Sequence, residues 1–258
     1  MKAYAYILAL FVFSGCASGP SPATPPANDP RLVLLLVGGN SEAIHNRGIW
    51  KLYKGEMSTS ELGLLKSIKQ QTKLDDSEIA AYYFSWTGDD EGHRTNWLPG
   101  HANWITGGPD WILKAIEGIV PNKNASTRVA IIGWSNGAAT AYELACTLSA
   151  ARSPELLVTL DPVAWTTRPC SEYSGGRAAT PINWVNIYTE SGPWNRLNTG
   201  NIIAFIGRAW DNDKLPSKPA NKSLHKSEGT NHGQTEKMWE LVLKDETFLE
   251  WAASFQQK

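Results

Sequence analysis

The sequence predicts an α/β domain in which a mostly parallel central sheet carries helices on both faces. Short apolar runs, typical of strands buried on both sides, alternate along the chain with segments whose apolar residues recur at helical spacing. This alternation favours parallel strands joined by right-handed crossovers. The 258 residues are 42% hydrophobic and 19% charged, which is typical of a globular chain long enough for one large domain.

The strands are predicted from their apolar, β-branched and aromatic residues. Residues 32–37 are all Leu or Val and end at Gly38-Gly39-Asn40, a turn signal. Residues 79–86 are rich in aromatic side chains, which favour strands. The other strand candidates are 129–132, 156–160, 182–188 and 201–206.

The helices are predicted from their 3.6-residue periodicity. Leu62, Leu64, Leu65 and Ile68 share one side of segment 60–73, and a Ser or Thr just before it indicates an N-cap. The other helix candidates are 108–120, the Ala-rich 138–149, and 234–255 with a polar interruption at 244–246.

The N-terminus has the layout of an export signal. Met1 and Lys2 precede an apolar run over 3–13, which is too short for an ordinary membrane-spanning helix, and Ser14-Gly15-Cys16 follows. The small residues before the cysteine resemble a bacterial lipobox, with Phe13 where Leu is typical. That resemblance implies a signal peptide over 1–15, a lipid on Cys16 and an envelope location. The alternative is an ordinary cleaved signal.

Segment 16–30 is rich in Ser, Pro, Ala and Gly, so it is predicted to be a tether. Residues 31–258 then form the predicted folded domain. In diderm bacteria, Ala17 rather than Asp after the cysteine would suit the outer membrane. Export would also place Cys146 and Cys170 in an oxidising compartment, where they are predicted to form a disulfide. One buried and one exposed thiol is the alternative.

A nucleophile motif stands between a predicted strand and a predicted helix. Gly133-Trp134-Ser135-Asn136-Gly137 has the pattern G-x-S-x-G, which presents a serine on a sharp strand-to-helix turn. A β-carbon on either glycine would clash with the neighbouring backbone. The N-terminal end of the following helix favours negative charge at the site.

With this motif in place, most of residues 31–258 resembles the α/β-hydrolase superfamily in element order. The resemblance implies an α/β-hydrolase fold and a Ser-acid-His chain order. Of the five histidines, three precede Ser135, which leaves His225 and His232. His232 lies directly before the last helix, where the family's histidine usually sits, whereas His225 lies in 221–227, predicted to be an exposed Lys-rich loop. We therefore favour His232 as the general base.

The acid is predicted to be Asp161. It directly follows strand 156–160, at the sheet edge expected to carry Ser135. The larger lipases resembling pancreatic lipase have their acid at such a post-strand L-D-P site. Many other hydrolases have it one strand later, which keeps Glu190, Asp211 and Asp213 open as alternatives.

The oxyanion hole needs two backbone N–H groups. The resemblance implies one from Asn136 and one from the turn after the first strand, at Gly39 or Asn40.

These residues together predict a serine hydrolase of carboxylic esters that acts on a small-molecule or lipid ester without a cofactor or metal. The alternatives are a non-catalytic envelope lipoprotein that binds a partner, and a hydrolase of amide, thioester or sugar-ester bonds. Twelve Trp keep the sugar-ester version open, and segment 88–108, with Trp97 and Trp104, could form a lid. The net charge of −1 gives no reason to expect nucleic-acid binding.

Overall fold

The computed structural model describes residues 30–39, 63–84, 127–148, 154–163, 183–189, 221–227, 230 and 232–257. Within these ranges the chain forms strands and helices in alternation. The strands are β1 (Leu32–Val37), β2 (Ile79–Phe84), β3 (Arg128–Trp134), β4 (Leu156–Leu160), β5 (Asn183–Thr189) and β6 (Asn221–Ser227). The helices are α1 (Leu64–Thr72), α2 (Asn136–Leu148), α3 (Thr235–Val242) and α4 (Glu246–Ala253).

The described strands form one six-stranded sheet in the order β2-β1-β3-β4-β5-β6. Every neighbouring pair is parallel. The carboxyl ends of the strands therefore meet at one edge, which we call the carboxyl edge, and their starts meet at the opposite amino edge.

Both faces of the sheet are covered, as strands buried on two sides require. Val33, Leu35 and Val37 pack in a cluster with the apolar side of α2. Leu32, Leu34 and Leu36 point the other way and pack with residues of α1, α3 and α4. The predicted fold class, an α/β domain with a mostly parallel central sheet and helices on both faces, is confirmed.

Most element boundaries are close to those predicted. Strands β1 and β4 have the predicted bounds, and the polar interruption near the C-terminus separates α3 from α4. Asp245 is the N-cap of α4, and its side chain accepts a hydrogen bond from the Phe248 amide. The predicted helix 108–120, the predicted strand 201–206 and the proposed lid 88–108 lie outside the described residues.

The predicted Ser or Thr cap of the first helix is wrong. Helix α1 begins at Leu64 with Gly63 as its N-cap, and no side chain makes a capping hydrogen bond there. The first turn of the predicted segment therefore lies before the helix.

The prediction of a loop over 221–227 is also wrong. This segment forms strand β6, which pairs in parallel with β5 from Asn183↔Asn221 to Thr189↔Ser227. Among the described strands β6 is the last in the order, and its sequence contains no apolar run. Tertiary pairing, rather than local apolar content, determines this strand.

Of the helices in the described part of the chain, none is long and apolar enough to cross a membrane. The N-terminal apolar run, Cys16 and residues 17–29 of the predicted tether lie outside the described residues.

Candidate active site

Ser135 occupies the sharp turn between β3 and α2. Strand β3 ends at Trp134 and α2 begins at Asn136, so Ser135 is the single residue that separates them. Its φ is 60°, in the left-handed region that non-glycine residues rarely adopt. Strained backbone of this kind persists where the surrounding structure enforces it, and it occurs frequently at functional sites.

The two motif glycines make this turn possible. A β-carbon on Gly133 would lie 2.6 Å from the Gly137 carbonyl oxygen, and one on Gly137 would lie 2.3 Å from the Gly38 carbonyl oxygen. Both contacts are with backbone atoms, which cannot rotate away. The steric requirement for glycine at positions 133 and 137 therefore holds in this chain.

Backbone hydrogen bonds join the Ser135 turn to the end of β4. The Ser135 amide donates to the Leu160 carbonyl oxygen at 3.0 Å, and the Val163 amide donates to the Ser135 carbonyl oxygen at 3.1 Å. Because Asp161 lies between Leu160 and Val163, these bonds hold the predicted nucleophile and the predicted acid close together at the carboxyl edge.

Asp161 is fully buried and accepts hydrogen bonds on both carboxylate oxygens. The Thr189 amide donates to Oδ1 at 2.9 Å, and the Thr189 hydroxyl donates to Oδ2 at 2.7 Å. Its φ of 45° is also left-handed, and its amide donates to the Ile187 carbonyl oxygen. A buried carboxylate needs such partners to offset the loss of water.

His232 joins the other two side chains. Its Nδ1 lies 2.6 Å from Asp161 Oδ2, and its Nε2 lies 2.8 Å from Ser135 Oγ. The residue is buried, with 3% of its surface exposed. With the Nδ1 proton directed to the carboxylate, Nε2 is the acceptor of the hydrogen bond from the Ser135 hydroxyl. The structure thus brings Ser135, His232 and Asp161 into one hydrogen-bonded line.

Trp134 supports His232 through two contacts. Its indole N–H donates to the His232 carbonyl oxygen at 2.9 Å. Its ring stacks on the imidazole, with centroids 5.0 Å apart and an interplanar angle of 29°. Trp134 is 2% exposed, so it belongs to the interior rather than to an open substrate surface.

Two of the three predicted oxyanion donors, Asn136 and Gly39, are among the described residues. Asn136 begins α2, so its amide belongs to the first turn, whose N–H groups have no partner within a helix. Gly39 approaches the nucleophile closely, since a β-carbon there would lie 3.0 Å from Ser135 Cβ and 2.7 Å from Trp134 Cε3. Asn40 lies outside the described residues.

Of the other residues named in the sequence predictions, the structure describes His225 and Cys146. His225 lies within β6 and not in a loop. The alternative acids Glu190, Asp211 and Asp213 lie outside the described residues. Cys146 is disulfide-bonded. Its predicted partner, Cys170, lies outside the described residues.

Sequence reasoning missed the contacts of Thr189 with Asp161 and of Trp134 with His232. Thr189 ends β5, and Leu160 pairs with Ile187, so Thr189 emerges beside Asp161 at the carboxyl edge. A polar residue at the end of the strand next to the acid was the available signal. Nothing local indicated that Trp134 would meet a residue 98 positions away.

The arrangement has the geometry for acyl transfer. A serine hydroxyl gains nucleophilicity when an adjacent imidazole accepts its proton and a carboxylate orients that imidazole. The chemistry of this set calls for no metal, and within the described ranges no group of three or more His, Cys, Asp or Glu could hold one.

Comparison with protein-family models and with curated proteins finds no match. Several solved structures are similar at low identity. A thioesterase of the prodiginine pathway, RedJ from Streptomyces coelicolor, is 14% identical with a TM-score of 0.41 over 95% of this chain and 97% of its own. Carboxyl esterase 2 from Tuber melanosporum is 13% identical with a TM-score of 0.39 over 99% and 97%. A Bacillus cereus carboxylesterase is 14% identical with a TM-score of 0.35 over 98% and 100%.

Proposed function

We propose that this protein is a serine hydrolase that cleaves carboxylic esters through an acyl-enzyme. The observation that carries the proposal is the buried line from Ser135 Oγ through the His232 imidazole to Asp161, with contacts of 2.8 and 2.6 Å. The left-handed φ of Ser135 supports it, because the surrounding structure holds this residue in a costly conformation.

In the first half of the reaction, Ser135 Oγ forms a bond to the ester carbonyl carbon while its proton passes to His232 Nε2. The carbonyl π electrons move to the oxygen, where the amides of Asn136 and Gly39 are the candidate donors. Collapse of this intermediate breaks the bond to the alcohol oxygen. That oxygen takes the proton from Nε2 and leaves as the alcohol.

In the second half, water repeats the sequence. It gives a proton to His232 Nε2 as its oxygen bonds to the acyl carbon, and the intermediate then expels Ser135, which recovers the proton. The products are a carboxylic acid and the free enzyme. Asp161 keeps the imidazole oriented and stabilises its protonated form throughout.

Steady-state hydrolysis of matched carboxylic ester, thioester and amide substrates tests the proposal. We expect ester turnover by the wild-type chain. Ser135→Ala and His232→Ala should each reduce kcat by about 10⁴-fold or more. Turnover of the amide or the thioester in preference to the ester would contradict the ester assignment.

Two matched variants serve as controls. Ser67→Ala removes another buried hydroxyl, which lies in α1, and His225→Ala removes the other histidine after Ser135. Both should retain kcat. Loss of activity in His225→Ala with activity retained in His232→Ala would contradict the assignment of the base.

We also propose that the chain is exported and anchored to the cell envelope through a lipid on Cys16. Support comes from the lipobox-like Ser14-Gly15-Cys16 and from the disulfide at Cys146, because disulfides persist mainly in oxidising compartments. Metabolic labelling with a palmitate analogue should label the wild-type chain and not Cys16→Ala. An unlabelled wild-type chain released in soluble form would contradict the anchor.

A further inference from the structure

The indole of Trp134 contacts two parts of the candidate site, His232 and Gly39. Strand β3 could end at this residue without either contact. On one side the ring stacks on the His232 imidazole at 5.0 Å, while the indole N–H bonds to the carbonyl oxygen of the same residue. Elsewhere the ring carbons Cε3 and Cζ3 lie against Gly39, where a β-carbon would come within 2.9 Å of both.

We propose that Trp134 is a positioning residue that holds His232 in line between Ser135 and Asp161 and stabilises the imidazolium formed during the reaction. The inference rests on the proposed hydrolase function, which it deepens by giving the residue before the nucleophile a role.

The geometric part of the role follows from the double contact. The imidazole bridges Ser135 and Asp161 only when both ring nitrogens stay at hydrogen-bond distance, so a rotation of the ring breaks one bond. The indole N–H fixes the backbone of His232, and the stacked indole ring restricts rotation of the imidazole. The Trp134 side chain therefore constrains both the backbone and the imidazole ring of His232.

The electrostatic part follows from the charge that His232 acquires. When Nε2 takes the Ser135 proton, the imidazole becomes a cation on the face of an aromatic ring. An aromatic face within about 6 Å attracts a cation, and the attraction is larger in a desolvated site. Both residues are almost fully buried, Trp134 with 2% and His232 with 3% of its surface exposed, so the contact acts selectively on the charged state that the reaction passes through.

The position of Trp134 in the chain strengthens the constraint. It directly precedes Ser135, so the turn that places the nucleophile also places the support of the base. Its contact with Gly39 explains why that position has no side chain, since a larger residue would displace the indole from His232.

Two substitutions separate the contacts. Trp134→Phe keeps an aromatic face and removes the N–H donor, and Trp134→Leu removes both. We expect kcat for ester hydrolysis to fall about fivefold in Trp134→Phe and about 30-fold in Trp134→Leu. KM should stay within about twofold, because a residue that is 2% exposed offers substrate little contact.

Trp184→Phe is the matched control. The Trp184 indole is fully buried and donates to Thr159 Oγ1 at 2.9 Å, the same length as the Trp134 bond, and lies at the start of β5 away from the carboxyl edge. It should lower the melting temperature without changing kcat. Wild-type kcat in Trp134→Phe and Trp134→Leu, or a change confined to KM, would overturn the positioning role.

A spectroscopic measurement distinguishes failure of this inference from failure of the proposed function. The proton on His232 Nδ1, hydrogen-bonded to Asp161, should give a downfield NMR signal in the wild-type chain and in Trp134→Phe. We expect the signal to broaden or vanish in folded Trp134→Leu. A wild-type chain without hydrolase activity would contradict the proposed function but not the positioning of His232 by Trp134. A signal that survives unchanged in Trp134→Leu would overturn the positioning role whatever the activity.

Discussion

The amino and carboxyl edges of the sheet place their charged side chains in opposite surroundings. At the amino edge, Arg31 pairs with Glu78 at 3.0 Å, and these side chains remain 40% and 30% exposed. At the carboxyl edge, His232 and Asp161 meet at 2.6 Å with 4% and 0% of their side chains exposed. Solvent weakens the first kind of pair, whereas the second acts in a nearly water-free interior.

The amino-edge contacts attach the C-terminal segment to the sheet. Arg31 also donates to the Phe255 carbonyl oxygen at 2.7 Å. Arg128 pairs with Glu155, donates to Ser254 Oγ at 2.7 Å, and has its guanidinium 3.9 Å from the centre of the Phe255 ring. These contacts fasten the end of the chain after α4, and no strained backbone accompanies them.

The carboxyl edge differs in its backbone as well as in burial. Three described non-glycine residues have positive φ: Lys73, which caps the end of α1, and Ser135 and Asp161 at this edge. Tolerated strain and buried polar groups therefore coincide at one edge of the sheet. The comparison teaches that position in the sheet, not charge alone, separates a structural ion pair from a candidate reaction centre.

The largest expected effect comes from removing the acid. Asp161→Asn keeps the shape of the side chain but removes the charge that orients His232, so kcat should fall about 10⁴-fold. Steady-state ester hydrolysis measures this change. Folding is checked by circular dichroism, because the amide also alters a fully buried site.

Variants of the alternative acids make the assignment of Asp161 specific. Glu190→Gln, Asp211→Asn and Asp213→Asn should keep kcat within a few-fold of wild type. If one of them abolished activity while Asp161→Asn retained it, the acid would be that residue and the reading of the carboxyl edge would be wrong.

A smaller effect is expected from Thr189→Val. The substitution removes the hydroxyl that donates to Asp161 Oδ2, while the backbone amide of residue 189 still donates to Oδ1. A hydrogen bond to a charged group contributes about 1.5–3 kcal/mol, so kcat should fall about 10- to 150-fold with KM unchanged.

Thr159→Val is the matched control for this change. The Thr159 hydroxyl is fully buried and bonds to Asn186 and Trp184 within the sheet. Its loss should destabilise the fold with little effect on kcat. Equal kcat losses in the two variants would mean that Thr189 acts through general stability.

The smallest effect is expected at the amino edge. Hydrogen bonds from the Asp75 amide and the Arg31 side chain hold the pKa of Glu78 below its usual 4.5. A lowered folded-state pKa stabilises the fold above the unfolded-state value, and this contribution is lost as the pH falls through the folded-state value. The free energy of unfolding should therefore depend slightly less on pH below about 5 in Glu78→Gln.

Urea unfolding at a series of pH values measures this difference. Hydrolytic activity at neutral pH should match that of the wild type. A large loss of kcat in Glu78→Gln would contradict the division between an amino edge that attaches the C-terminal segment and a carboxyl edge that carries the candidate active site.

Local sequence was sufficient where one segment determines its own structure. Strands β1 and β4 are continuous apolar runs buried on both faces, so their bounds could be predicted directly. The turn at Ser135 requires glycine at 133 and 137, and that requirement is visible in the chain. The choice of His232 over His225 depended on the resemblance, which implies the chain order and a histidine before the last helix.

Features that depend on distant partners could not be predicted in this way. Strand β6 has no apolar run and exists through its pairing with β5. Thr189 reaches Asp161 through the register of β4 and β5, which becomes known only once the strands are paired. Trp134 meets His232 through the packing of the segment before α3 against the end of β3.

Reaction with a fluorophosphonate probe, followed by mass spectrometry of the labelled peptides, tests the central claim most directly. Such a probe reacts with a serine that its own site has activated. We predict a single adduct on Ser135 in the mature wild-type chain, and none in His232→Ala. A folded wild-type chain that takes up no probe, or an adduct on another serine that persists in Ser135→Ala, would contradict the account.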